Sequence, residues 1–141
     1  MADEKTFSFE ILTLQKSFLR EDIRFVVAPG QEGVFEVLPG HAPYVFALKP
    51  GTLRIRMPGG KDSYVATGTG FLVVQKDRTS VLTRSAERPE EIDRARAQRA
   101  KERAEQRLQA RPSDLDVSRA QAALQRALAR LKVADYASSG K

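Results

Sequence analysis

Seven arginines recur at helical spacing in the last third of this 141-residue chain: Arg96, Arg99, Arg103 and Arg107, then Arg119, Arg126 and Arg130. At about 100° per residue the first four fall within a band of about 80° on one helix, and the other three share a face of a second. Guanidinium groups in such stripes suit bidentate binding of phosphate or carboxylate. The plain alternative is a solvated surface with intrahelical pairs such as Glu90–Arg94 and Lys101–Glu105. Arginine predominates here where lysine would solubilise as well, which favours an anion-binding role.

The other chemically notable stretch is Leu38-Pro39-Gly40-His41-Ala42-Pro43, where two prolines, a glycine and the only histidine pin the backbone into a turn. A catalytic histidine needs an orienting partner. There is no cysteine and no second histidine, and Glu32 and Glu36 lie several residues away. The six residues therefore read as a structural turn. Gly59-Gly60-Lys61 lacks the spacing of a phosphate-binding loop. No paired carboxylates and no metal-ligand cluster stand out, so no catalytic residue, no metal and no required cofactor are expected. The chain reads as a non-enzyme.

Hydrophobic content of 41% with 30% charged residues is that of a globular chain. No run of about 18 apolar residues could span a bilayer, Met1–Lys5 has no signal-peptide core, and the absence of cysteine excludes disulfides and thiolate metal sites. A soluble intracellular protein is expected. The net charge of +6 calls for nucleic acid, an anionic ligand or an acidic protein surface. Nucleic acid is disfavoured, because the basic region offers only Tyr136 for base stacking.

Up to about Ala86 the pattern is one of short strands. Phe7, Phe9 and Ile11 alternate with Ser8 and Glu10 in Thr6–Leu14. Ile23–Ala28, Val34–Leu38, Tyr44–Leu48, Thr52–Met57, Ser63–Thr67, Gly70–Gln75 and Thr79–Arg84 follow, with turn residues at Pro58-Gly59-Gly60 and Lys76-Asp77. Such spacing predicts a sandwich or flattened barrel. After Ala86 the period becomes helical. One helix is predicted from Pro89 to about Ala110, with Pro89 in its first turn, broken at Arg111-Pro112-Ser113. A second is predicted from a Ser113 cap, with Asp116 at the capping-box position, to about Ala134. The short joint predicts an antiparallel hairpin closed by Ala97, Ala100, Ala104 and Leu108 against Val117, Ala120, Leu124, Ala127, Leu128 and Leu131. The Ser-Ser-Gly-Lys tail reads as disordered.

The class is thus α+β: an antiparallel β-sandwich over residues 1–86 and a helical hairpin over 87–141. Gly30-Gln31-Glu32-Gly33, Val37 through Pro43 and Leu48-Lys49-Pro50-Gly51 closely resemble the epsilon subunits of the rotary F-type ATP synthase. Phe9–Thr13, Gly70–Val74, Val81–Thr83, Ala86-Glu87 and Glu91–Asp93 extend the resemblance along nearly the whole chain. Gly68-Thr69-Gly70 departs from the Gly-Gly pair of many members. The resemblance implies a ten-stranded two-sheet sandwich docked, as part of the central rotor, on the gamma subunit and the membrane c-ring. It implies a hairpin that, when extended, reaches the alpha and beta subunits and inhibits ATP hydrolysis. The location implied is peripheral, on the cytoplasmic face of the cell membrane, with no membrane insertion of its own.

Ile92-Asp93-Arg94-Ala95-Arg96-Ala97 matches the Ile/Leu-Asp-x-x-Arg-Ala motif of members that bind ATP. By that resemblance Asp93 holds the adenine or ribose side and Arg96 faces the phosphates. Glu87, Ile92, Ala97, Arg103, Arg119 and Arg126 match the same pattern, with Arg130 a further candidate. ATP would be a regulatory signal, its dependence on magnesium left open. Two other readings are a free-standing adaptor whose basic hairpin binds nucleic acid or an acidic protein, and a rotor part whose hairpin is an inert strut.

Overall fold

The computed structural model describes residues 5–138. Ten strands come first: β1 (Phe7–Leu12), β2 (Ser17–Ile23), β3 (Phe25–Gly30), β4 (Gly33–Val37), β5 (Tyr44–Leu48), β6 (Gly51–Arg56), β7 (Asp62–Thr67), β8 (Gly70–Val74), β9 (Thr79–Thr83) and β10 (Ala86–Glu87). They pair in the order β10-β7-β6-β3-β5-β8-β9-β1-β2, with β4 beside β3. The sheet folds over a core of Phe9, Ile11, Ile23, Leu48, Leu53, Ile55 and Leu72, all fully buried. Each such side chain contributes about 2 kcal/mol of transfer free energy.

Several features depart from the sequence reading. First, β2 does not show in the apolar pattern. Its Phe18 and Ile23 are buried, but Arg20-Glu21-Asp22 between them face solvent and mask the alternation. The expected strand Ile23–Ala28 is instead the end of β2 and most of β3, separated at Arg24. Second, β1 and β9 pair in parallel, with Glu10 opposite Ser80, where an antiparallel sandwich was expected throughout. Ser80 Oγ donates to the buried Glu10 carboxylate at 2.8 Å, and Arg78 Nε lies 3.3 Å from the same oxygen. Third, the helices start later than expected. Pro89–Glu91 form a single 3-10 turn, Ile92 is extended, and α1 runs Arg94–Ala110 from an Asp93 cap.

α1 ends at Ala110; the Arg111 N–H still donates to the Arg107 carbonyl at 3.0 Å, and the left-handed φ of 48° at Arg111 then turns the chain out of the helix. Ser113 does not cap the second helix. α2 spans Val117–Ser138, and its first turn is capped by Asp116, whose Oδ1 accepts from the Arg119 N–H at 3.0 Å. The predicted tail, Ser138 apart, lies outside the described residues, as does most of Met1–Lys5.

α2 buries two faces. Ala120, Ala127 and Ala134, seven residues apart, meet α1 together with Ala97 and Ala104, while Ala129 and Val133 are buried where the helix crosses β6 and β7. Leu128 does not belong to the seam as expected. It is 44% exposed, because it lies about 100° round from Ala127, on the outer side. Arg94 pairs with Asp135 of α2, not with Glu90, which precedes the break at Ile92. The Tyr136 ring stacks on Tyr64 of β7.

In the Leu38–Pro43 turn Gly40 takes φ 81°, a left-handed value that favours glycine. The His41 N–H donates to the Leu38 carbonyl at 3.1 Å, and His41 Nδ1 donates to the Ala42 carbonyl at 2.6 Å. The ring lies edge-on to Phe46. All three interactions hold the turn.

Candidate functional site

The alanine seam lets α1 and α2 approach closely, and beside it a cleft of about 730 Å³ runs from β10 to the tip of the hairpin. Its floor is Ala97, Ala100, Ala104, Ala120 and Ala123. Its walls carry six arginines: Arg96, Arg103 and Arg107 from α1, and Arg119, Arg126 and Arg130 from α2. The Arg94–Asp135 pair marks the antiparallel offset, at which Arg103 falls opposite Arg126.

Carboxylates occupy the two ends of the cleft, with Glu87, Glu91 and Asp93 at the root and Asp114 and Asp116 at the tip. Three of these serve the backbone. Glu91 Oε1 accepts the Arg88 N–H at 2.7 Å, Asp93 Oδ1 accepts the Arg96 N–H at 3.0 Å, and Asp116 caps α2. Glu87 pairs with Arg130. The other five guanidiniums, on Arg96, Arg103, Arg107, Arg119 and Arg126, form no ion pair with a described residue. Positive charge therefore concentrates mid-cleft, and groups able to accept hydrogen bonds sit at the root. Such a site can hold a compact polyanion attached to a polar group.

Of the residues singled out from sequence, Glu87, Asp93, Arg96, Ala97, Arg103, Arg119, Arg126 and Arg130 all line this one cleft. Ile92 does not; it is the extended, half-buried link before the Asp93 cap. Arg107 lines the cleft although the motif resemblance did not include it. Helical spacing alone had placed it in the stripe. Arg99, in the same stripe, is turned about 60° from Arg96 and is not part of the lining. Glu91, Asp114 and Asp116 join only through the fold. Among the described residues no three His, Cys, Asp or Glu side chains are placed to hold a metal ion.

A second surface lies on the sandwich. Phe71 pairs in register with Ala47 on one side and Leu82 on the other, and Leu82 with Leu12. Phe71, Leu82 and nearby Val45 are 52%, 42% and 57% exposed, an apolar face spanning β5, β8, β9 and β1.

The chain matches two families: "ATP synthase, Delta/Epsilon chain, beta-sandwich domain" over residues 6–89, and "ATP synthase, Delta/Epsilon chain, long alpha-helix domain" over residues 90–135. It is 49% identical over 105 residues to the ATP synthase epsilon chain of Pelotomaculum thermopropionicum, covering 74% of this chain and 78% of that one. With the epsilon chain of Desulforamulus reducens the identity is 51% over 104 residues, at the same two coverages. A chain of the Euglena gracilis mitochondrial ATP synthase, solved as an OSCP/F1/c-ring assembly, superposes with a TM-score of 0.73 at 26% identity, covering 94% of this chain and 81% of that one. A chain from the central stalk and c-ring of the Tetrahymena thermophila mitochondrial ATP synthase shares the fold, with a TM-score of 0.56 at 17% identity and coverages of 96% and 98%.

Sandwich, hairpin and matches together define a two-part subunit of the rotary ATP synthases. The chain belongs to the delta/epsilon family, as an epsilon subunit of the F-type ATP synthase and a non-catalytic component of that complex. That membership leaves the free-standing adaptor without support. Among the described residues no helix is long and apolar enough to cross a membrane.

Proposed function

We propose that this subunit is a rotor component whose hairpin regulates ATP hydrolysis and takes ATP as its signal in the docked state. The observation that carries the reading is the set of five unpaired guanidiniums on one cleft, drawn from both helices. A triphosphate in mid-cleft would lie between Arg103 and Arg126, with Arg96, Arg107 and Arg119 adding charge-assisted hydrogen bonds. The carboxylates at the root, Asp93 first, would accept from the ribose hydroxyls or the adenine amino group.

Only the closed hairpin brings the two arginine stripes together. ATP would therefore bind that form better, which a ligand must do to shift a two-state equilibrium. Extended, the same arginines would be free to meet acidic segments of the alpha and beta subunits and to oppose hydrolytic rotation. The apolar face around Phe71 and Leu82 is a surface for gamma and the c-ring, with the subunit peripheral on the cytoplasmic face of the membrane.

Calorimetric titration of the chain with ATP, with ADP and GTP as controls, tests the nucleotide reading. Saturable, ATP-selective binding at one site is expected, weakened about tenfold or more in Arg103→Ala and in Arg126→Ala. No binding up to millimolar ATP would overturn it. Deleting everything after Glu87 and assaying hydrolysis by the assembled complex tests regulation; unchanged hydrolysis would make the hairpin a strut.

A further inference from the structure

Closing the hairpin gathers five unpaired guanidiniums around one cleft, and like charges oppose that approach. The fully buried residues of the seam that closes it are alanines, each burying little apolar area. Contacts outside the cleft must hold α2 down.

We propose that the stack of Tyr64 on Tyr136 is a latch that keeps the hairpin docked on the sandwich with no ligand in the cleft, so that an incoming anion meets a preassembled site. The two rings lie face to face, 3.5 Å apart between centroids and within 3° of parallel, so what holds them is the apolar area each covers on the other and not a favourable alignment of ring quadrupoles. They join the last turns of α2 to β7, and Asp135 beside Tyr136 draws α1 into the same corner through Arg94. Ala129 and Val133 extend the contact towards β6 and β7 as buried side chains. Burial first, and the neighbouring Tyr136 after it, raise the Tyr64 pKa above its usual value, in keeping with the close packing of the two rings. The ion pair between the hairpin and the sandwich, Glu87–Arg130, is one-third exposed at both side chains and open to screening by salt. A ring stack is not screened. The latch is independent of which anion the cleft accepts.

The test is amide hydrogen exchange on the full chain without nucleotide, at low and at high salt. Protection of α2 is expected in the parent at both salt concentrations. In Tyr136→Ala, α2 amides are expected to exchange about tenfold faster while strand amides stay protected. The double variant Tyr64→Leu/Tyr136→Leu should cost no more than Tyr136→Leu alone. Three results would each overturn the latch: a parent α2 that is unprotected, a Tyr136→Ala variant exchanging like the parent, or additive effects of the two leucines. Because no nucleotide is present, failure here is distinct from failure of the ATP titration.

Discussion

Glu87 and Arg130, 43 residues apart in the chain, meet as an ion pair at the root of the cleft. The pair joins the last strand of the sandwich to the second helix and leaves Arg130 the one neutralised guanidinium in the lining. A pair this exposed is worth ~1 kcal/mol or less. A double-mutant cycle with Glu87→Ala and Arg130→Ala, read by denaturant unfolding, should give a coupling of that size that shrinks as salt is raised.

The alanine floor makes a prediction that leaves every charge in place. Ala100 is half-buried between the two walls. Ala100→Leu would fill the cleft with a side chain that favours helix as well as alanine nearly does. ATP binding by calorimetry should be lost while helical circular dichroism is kept. Undiminished binding would remove the nucleotide from this cleft.

Gly70 marks the tightest backbone approach in the sandwich. A Cβ there would stand 2.0 Å from the Leu82 carbonyl oxygen and 2.9 Å from the Thr83 Cα, both backbone atoms of β9. Neither can swing aside as a flexible side chain would. Gly70→Ala should destabilise the sandwich by about 2–3 kcal/mol, measured by thermal or denaturant unfolding.

Asp62 gives the acid limb of the stability profile a named contributor. Hydrogen bonds from Arg56 hold its carboxyl below the usual value of 3.8, with Arg54 adding to the effect. A lowered folded-state value stabilises the fold above the unfolded value, and the contribution disappears as pH falls through the folded one. Unfolding measured from pH 6 down to about pH 2 should therefore show a shallower loss in Asp62→Asn than in the parent.

What the sequence made legible follows the size of each local signal. Alternation in Phe7, Phe9 and Ile11 located β1, because one face of that strand is core and charge interrupts it little. β2 was lost because its two buried anchors, Phe18 and Ile23, are separated by charged residues on the solvent side. Helix starts were misplaced where two capping side chains competed. Ser113 and Asp116 both suit an N-cap, and in the structure it is Asp116 whose Oδ1 accepts from the Arg119 N–H. Leu128 read as core because leucine is apolar, yet the surfaces covering α2 are α1 on one side and the sheet on another, and neither reaches it. For the cleft, helical period found Arg107 where motif matching did not, whereas the acids at the tip depend on how the connecting loop folds back.

The parallel pairing of β1 with β9 governs the order in which the molecule can be assembled. Glu10 and Ser80 are 70 residues apart, so β1 cannot gain this neighbour until most of the sandwich sequence has left the ribosome. Contacts of such long range slow folding, whereas helices form in about a microsecond. The hairpin is made last and can coil at once, so its docking waits for the sheet and not the reverse. A subunit built this way has a complete scaffold to offer an assembly partner before its regulatory arm is set down.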